Sequence, residues 1–136
     1  MPDDNFDGLL QRLEELGKRV IAPAADQVDA AALFPEEAVK VIRGENLMGA
    51  YVPRKFGGMG LTLTQTCRIC EILGRYCAST AMIFAMHQIQ VACIVHHVGQ
   101  VEFLQTFLRR LVDDQLLLAS ATTEERVGGD VSNRDR

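Results

Sequence analysis

The chain has 136 residues, of which 48% are hydrophobic and 24% are charged, and its formal net charge is −4. This composition is typical of a soluble globular domain that is long enough to bury a core. The acidic balance argues against nucleic acid and anionic membranes as partners, because both require a basic surface.

The N-terminus is acidic, whereas a secretory leader starts with basic residues and continues with apolar ones. We therefore expect a cytoplasmic protein whose four cysteines are free thiols. The longest apolar stretch, residues 81–98, is interrupted by five polar residues. These would be costly in lipid, so the stretch predicts a buried helix and no membrane span.

Apolar residues recur every three or four positions over residues 6–21, which predicts a first helix. Pro23 should kink or restart that helix. Phe34, followed by a proline and two glutamates, predicts a second helix start, and Gly44 its end. Three glycines within residues 57–60 predict tight turns or close backbone packing.

A third helix should begin at Thr62 or Thr64 and turn its cysteines inward, a set that comprises Cys67, Cys70 and Cys77. Ser79 and Thr80 are predicted to cap a fourth helix, and the apolar spacing over residues 103–111 predicts a fifth.

Residues 116–121 form a short apolar run that predicts one β-strand entering a turn. A lone strand has no partner for its backbone groups, so we expect the chain to be a fragment of a longer protein. The predicted fold is all-α, a five- to six-helix up-and-down bundle-like domain over residues 1–114 with a short β-strand at its C-terminal end. Residues 115–136 would begin a truncated β-domain.

The chain shows no self-contained active site, and we assign it no catalytic residue and no metal ligand. Cys67 and Cys70 have CxxC spacing, but they lie mid-helix without a second pair, which favours cysteines acting as small hydrophobes. His87, His96 and His97 form no spaced ligand set. They are predicted to face a cavity or a neighbouring chain.

Four stretches occur in an order that is similar to one known family. They are residues 21–29, the Phe-Pro-Glu at 34–36, the Val-Pro-Arg-Lys-Phe-Gly-Gly-Met-Gly loop at 52–60, and the Ala-Thr-Thr-Glu to Gly-Gly-Asp segment at 121–130. Together they resemble the N-terminal part of the acyl-CoA dehydrogenase family, and the glycine loop is the most specific of the four.

The resemblance implies three domains, with FAD held between the subunits of a homo-oligomer. It also implies oxidation of the Cα–Cβ bond of an acyl-CoA thioester, with electrons leaving through an electron-transfer flavoprotein. The family's catalytic glutamate lies in a C-terminal domain, so these 136 residues alone should be inactive.

The resemblance also assigns candidate cofactor-binding residues, which are Thr122, Thr123, Gly128 and Gly129. The two threonines match family positions that contact the flavin ring, and hydroxyl and amide groups suit its polar edge. Glu125 replaces the usual proline, Arg126 a small residue and Gly129 a serine, which indicates a divergent subgroup.

A looser alignment assigns a substrate-binding set on the inner face of the fourth helix, namely Met86, Ile89, Gln90 and Cys93. Apolar side chains with an adaptable methionine suit an alkyl chain. Packing against other helices explains the same residues, and that alternative stays open.

Two further functions remain open. A related flavin-dependent monooxygenase or nitroalkane oxidase would share this N-terminal pattern. A non-catalytic helical interaction domain would instead use an exposed apolar patch, formed by Met82, Met86, Phe103 and Phe107.

Overall fold

The computed structural model describes residues 4–121. This part of the chain contains six α-helices: α1 Asp4–Leu16, α2 Ala22–Ala30, α3 Glu36–Gly44, α4 Leu63–Tyr76, α5 Ala78–His97 and α6 Glu102–Asp113. No strand occurs within residues 4–121, and the predicted all-α fold is confirmed.

A π-helical stretch, Gly17–Ile21, joins α1 to α2, so the two run on as one irregular helix. Pro23 lies in the first turn of α2, directly after the π-helical stretch, and its missing N–H interrupts the backbone hydrogen-bond ladder at that point. This is the predicted restart. Gly17 is buried, and a Cβ there would lie 2.2 Å from Cδ2 of Tyr76, so only glycine lets α1 approach α4 so closely.

The glycine loop is a rigid corner, as predicted. Gly57 and Gly60 have φ of +89° and +65°, and a Cβ on Gly58 would lie 2.1 Å from the Val52 carbonyl oxygen. The loop is tied back on itself, because the Gly60 amide donates to the Val52 carbonyl at 2.9 Å. Two 3₁₀ turns, Leu47–Gly49 and Arg54–Phe56, complete it.

Helix α4 begins with a complete capping box. The Gln65 amide donates to Thr62 Oγ1 at 3.3 Å, and the Thr62 amide donates to Gln65 Oε1 at 2.9 Å. The predicted inward cysteines are only partly confirmed. Cys77 is buried and Cys70 half-buried, but Cys67 is exposed because the buried face of α4 is formed by Thr66, Ile69, Ile72 and Leu73.

A single residue, Cys77, separates the end of α4 from the start of α5, which makes the predicted Ser79–Thr80 cap wrong. Cys77 is the N-cap residue and offers no side-chain hydrogen bond to the helix. The Cys77 amide still bonds to the Leu73 carbonyl of α4 at 3.0 Å. The two helices therefore follow each other without a loop that could supply a capping side chain.

Helix α6 closes the domain against the C-terminal half of α5 and the glycine corner. Leu108 and Leu111 are fully buried there with Val91 and Val52. The segment over residues 116–121 that follows forms neither helix nor strand. The predicted strand is therefore not formed in the described part of the chain, where no second strand lies beside it.

Candidate functional site

Helix α5 carries an exposed apolar face, which is the feature of this domain that most resembles a binding surface. Met82, Met86 and Ile89 are 62%, 39% and 52% exposed. Together with the exposed Cys93 they follow the three- and four-residue spacing of one helical face. We call these four residues the α5 face. Its apolar side chains can take up an alkyl chain or another apolar surface.

The candidate substrate set falls on this face. Met86, Ile89 and Cys93 belong to it, and Gln90 is half-buried beside it. The prediction that these residues line the inside of the domain is wrong, since the inward side of α5 is occupied by Phe84, His87, Gln88 and Val91. Core packing therefore does not account for Met86, Ile89 and Cys93, whereas a role in binding substrate stays a prediction.

The opposite side of α5 holds a buried histidine that the sequence placed at a cavity or an interface. His87 is fully buried, its Nε2 donates to the Met48 carbonyl at 2.8 Å, and its Nδ1 accepts from the Leu118 amide at 3.0 Å. Burial lowers the pKa of this imidazole, so its neutral form is favoured. His87 therefore links α5 by hydrogen bonds to the turn that contains Met48 and to the segment that contains Leu118.

Gln88, the next residue along the chain, also bonds α5 to backbone groups of a neighbouring loop. Its Nε2 donates to the Leu47 carbonyl at 2.8 Å, and its Oε1 accepts from the Tyr51 amide at 3.3 Å. The glycine corner is thus held to α5 by polar groups within the core. Sequence reasoning missed this pair, although two adjacent polar residues inside an apolar helix are a signal for buried hydrogen bonding.

The other histidines and the CxxC pair do not come together as a metal centre. His96 and His97 are exposed, and His97 Nδ1 lies 2.7 Å from the Cys93 carbonyl oxygen of its own helix. Burial, with a smaller contribution from Cys67, raises the pKa of the Cys70 thiol, which disfavours the thiolate that a metal would need. Within residues 4–121, no three His, Cys, Asp or Glu side chains form a metal-binding group.

The candidate cofactor residues Thr122, Thr123, Gly128 and Gly129 lie outside the described residues. The segment that leads to them is held to α5 at Leu118, because the Leu118 amide donates to His87 Nδ1. Residues 119–121 are exposed.

The alternative apolar patch is exposed in part. Phe103 is 74% exposed and stacks on the half-buried Phe107, with 6.5 Å between ring centroids. This pair lies on α6, whereas the two methionines of the proposed patch lie on the α5 face.

By length and composition, α5 is the one helix of the described residues that could cross a membrane, with a mean hydropathy of 1.5. Only 28% of its most apolar window is buried. The prediction of a buried helix is therefore confirmed for one side of α5 and wrong for the other. It packs along α4, and its two buried polar side chains bond to protein backbone. These contacts are those of a helix in a folded helical domain.

Residues 4–115 match the family model described as the acyl-CoA dehydrogenase N-terminal domain. The chain is 33% identical, over 90% of its length, to cyclohex-1-ene-1-carbonyl-CoA dehydrogenase of Geobacter metallireducens, and covers 32% of that protein.

Two other relatives carry related names. A probable acyl-CoA dehydrogenase, FadE25, of Mycobacterium tuberculosis is 26% identical over 98% of the chain, which covers 34% of it. Acryloyl-CoA reductase (NADH) of Anaerotignum propionicum is 33% identical over 81% of the chain, which covers 28% of it. The chain thus spans about a third of the length of the curated relatives it matches.

Proposed function

Because this chain belongs to the acyl-CoA dehydrogenase family through its N-terminal domain, we propose that it forms the helical part of an FAD-dependent enzyme that oxidises acyl-CoA thioesters. The observation that carries the proposal is the family match over residues 4–115, which covers all six α-helices. The names of the relatives, all acyl-CoA oxidoreductases, support a thioester substrate.

In this proposal the α5 face, together with the half-buried Gln90 beside it, forms one wall of the site for the acyl chain. Met86 and Ile89 offer flexible and branched apolar contacts at neighbouring turns. A bound alkyl chain would bury them, and each methylene group removed from water contributes roughly 0.8 kcal/mol. The wall would also exclude water from the reacting carbons.

The segment that leads to the residues proposed to hold the flavin passes Leu118, whose amide is bonded to His87 of α5. FAD, when bound, would supply the acceptor for the hydride that leaves the acyl chain. The residues proposed to hold it are Thr122, Thr123, Gly128 and Gly129, through amides and hydroxyls.

The rest of the reaction is assigned outside these residues. We place the base that removes the α-proton in a C-terminal domain, and we expect these 136 residues alone to be inactive. The partners of the complete enzyme would be an electron-transfer flavoprotein and further copies of the same chain.

One relative favours a second direction for the same chemistry. Acryloyl-CoA reductase (NADH) is named for reduction of an unsaturated thioester. Both directions would use the same wall for the acyl chain. The two functions would differ in the electron partner, which is an electron-transfer flavoprotein for oxidation and NADH for reduction.

A charge placed on the α5 face tests the proposal. In the full protein that carries these residues, Met86→Glu should raise KM for a medium-length acyl-CoA by about tenfold or more, because a carboxylate would be buried against the alkyl chain. Phe103→Glu is the matched control, since it makes the same apolar-to-acidic change at an exposed site on α6. An unchanged KM in Met86→Glu, or an equal rise in both variants, would contradict the role of the α5 face.

A further inference from the structure

A cavity lies away from the α5 face, between the α2 region, the start of α3 and the first turn of α5. Its volume is about 330 Å³, and its walls are mainly apolar, with Ile21, Ala24 and Val28 on one side and Ala38 and Cys77 on the other. For comparison, an engineered apolar cavity of roughly 150 Å³ binds benzene. The cavity opens to solvent where the exposed Leu33 and Phe34 line it, and its space is sufficient for a compact ring with a substituent.

Thr80 lines this cavity and is fully buried, yet its hydroxyl has no hydrogen-bond partner among the described residues. A buried hydroxyl without a partner is costly, and native structures rarely leave one. Thr66 provides the contrast within the same domain. It is also buried near a helix start, but its hydroxyl donates to the Thr62 carbonyl at 3.0 Å.

The charges at the rim restrict what could enter. Among the residues that the structure describes, Glu36 and Glu37 are the charged ones of the lining, which includes no Lys, Arg or His from that part of the chain. Glu37 pairs with Lys40 at 2.6 Å, but Glu36 forms no such ion pair in the described part of the chain. An anionic ligand would meet like charge at the mouth and apolar walls inside, which disfavours it.

From these observations we infer that the cavity is a binding site for a compact, uncharged apolar molecule that carries one hydrogen-bonding oxygen, with the Thr80 hydroxyl as its polar partner. The site is separate from the proposed acyl-chain wall, since none of the four α5-face residues lines it. Its ligand would therefore bind whether or not the proposed reaction is correct.

Benzyl alcohol and toluene are matched probes, because they differ by one hydroxyl group. Titration of the ¹⁵N-labelled 136-residue chain should shift the Thr80 and Cys77 amides with either probe. Thr80→Val should weaken benzyl alcohol by roughly 2- to 12-fold, the range of one net hydrogen bond. Toluene should bind Thr80→Val as well as the wild type or better. Benzoate should not bind.

Two further variants keep the test decisive. Thr66→Val removes a buried hydroxyl elsewhere and should leave both probes unaffected. Ala24→Phe fills the cavity and should abolish binding of both probes while the Thr80 hydroxyl remains. The inference is overturned if benzyl alcohol causes no shift at Thr80, which would leave a cavity that holds water only. It is also overturned if Thr80→Val weakens both probes equally, or if binding survives in Ala24→Phe.

Discussion

Replacement of His87 by phenylalanine should destabilise the domain and remove part of its dependence on pH. The ring volume is largely kept, but the Met48 carbonyl and the Leu118 amide lose their partners at 2.8 and 3.0 Å. A buried polar group without a partner costs about 1–3 kcal/mol, and the Leu118 bond is only partly buried. We therefore expect the free energy of unfolding to fall by about 2–4 kcal/mol.

The pH dependence has a definite sign. Burial lowers the pKa of His87 in the folded state below its usual value of 6.5, so the unfolded chain binds the proton more readily. Stability is then fully present above the unfolded pKa and is lost as pH falls from 6.5 toward the folded pKa. The slope cannot exceed about 1.4 kcal/mol per pH unit for one group.

Urea unfolding of wild type, His87→Phe and His96→Gln between pH 5 and 8 checks both statements. His96→Gln controls for the loss of a histidine, because His96 is exposed. The wild type should lose stability below about pH 6.5, and His87→Phe should lose much less over the same range. A slope that persists in His87→Phe, or a cost below 1 kcal/mol, would refute a buried neutral imidazole that holds two loops.

Three other outcomes follow from the packing of α1, α4 and α5. Gly17→Ala should cost about 1–3 kcal/mol in urea unfolding, because its Cβ would overlap the Tyr76 ring, whereas Gly44→Ala, which meets nothing within 4 Å, should be close to neutral. The hydrogen bond from Tyr76 to Glu14 raises the pKa of the tyrosine, so Glu14→Gln should lower the midpoint of its ultraviolet titration; an unchanged midpoint would contradict that bond. Maleimide labelling followed by peptide mass spectrometry should find Cys77 the slowest cysteine, since it alone of the four is buried, and fast labelling there would mean that the start of α5 opens.

Local signals in the sequence were sufficient for most of the fold. The Phe34-Pro35 start, the end at Gly44 and the Thr62 cap depend on residues within one turn of each other, and the structure has all three. The glycine corner was also predictable, because Gly57 and Gly60 adopt backbone angles that other residues rarely take.

The orientation of α5 was not predictable in the same way. Its apolar residues are distributed all round the helix, so periodicity gives no inward side. Which face is buried is decided by the Met48 and Leu118 backbone groups that His87 meets, and both are distant in sequence. The looser alignment with the family placed Met86 and Ile89 on the inner face, whereas the structure has both of them exposed.

The most direct test of the proposed function is anaerobic titration of the full protein that carries these residues with a series of acyl-CoA thioesters, followed by the visible absorbance of its flavin. We predict one FAD per chain and loss of the oxidised flavin absorbance on addition of acyl-CoA, with the enoyl-CoA as product. A flavin that stays oxidised with every acyl-CoA, together with oxygen uptake on another substrate, would contradict the proposal and favour the monooxygenase or nitroalkane oxidase alternative.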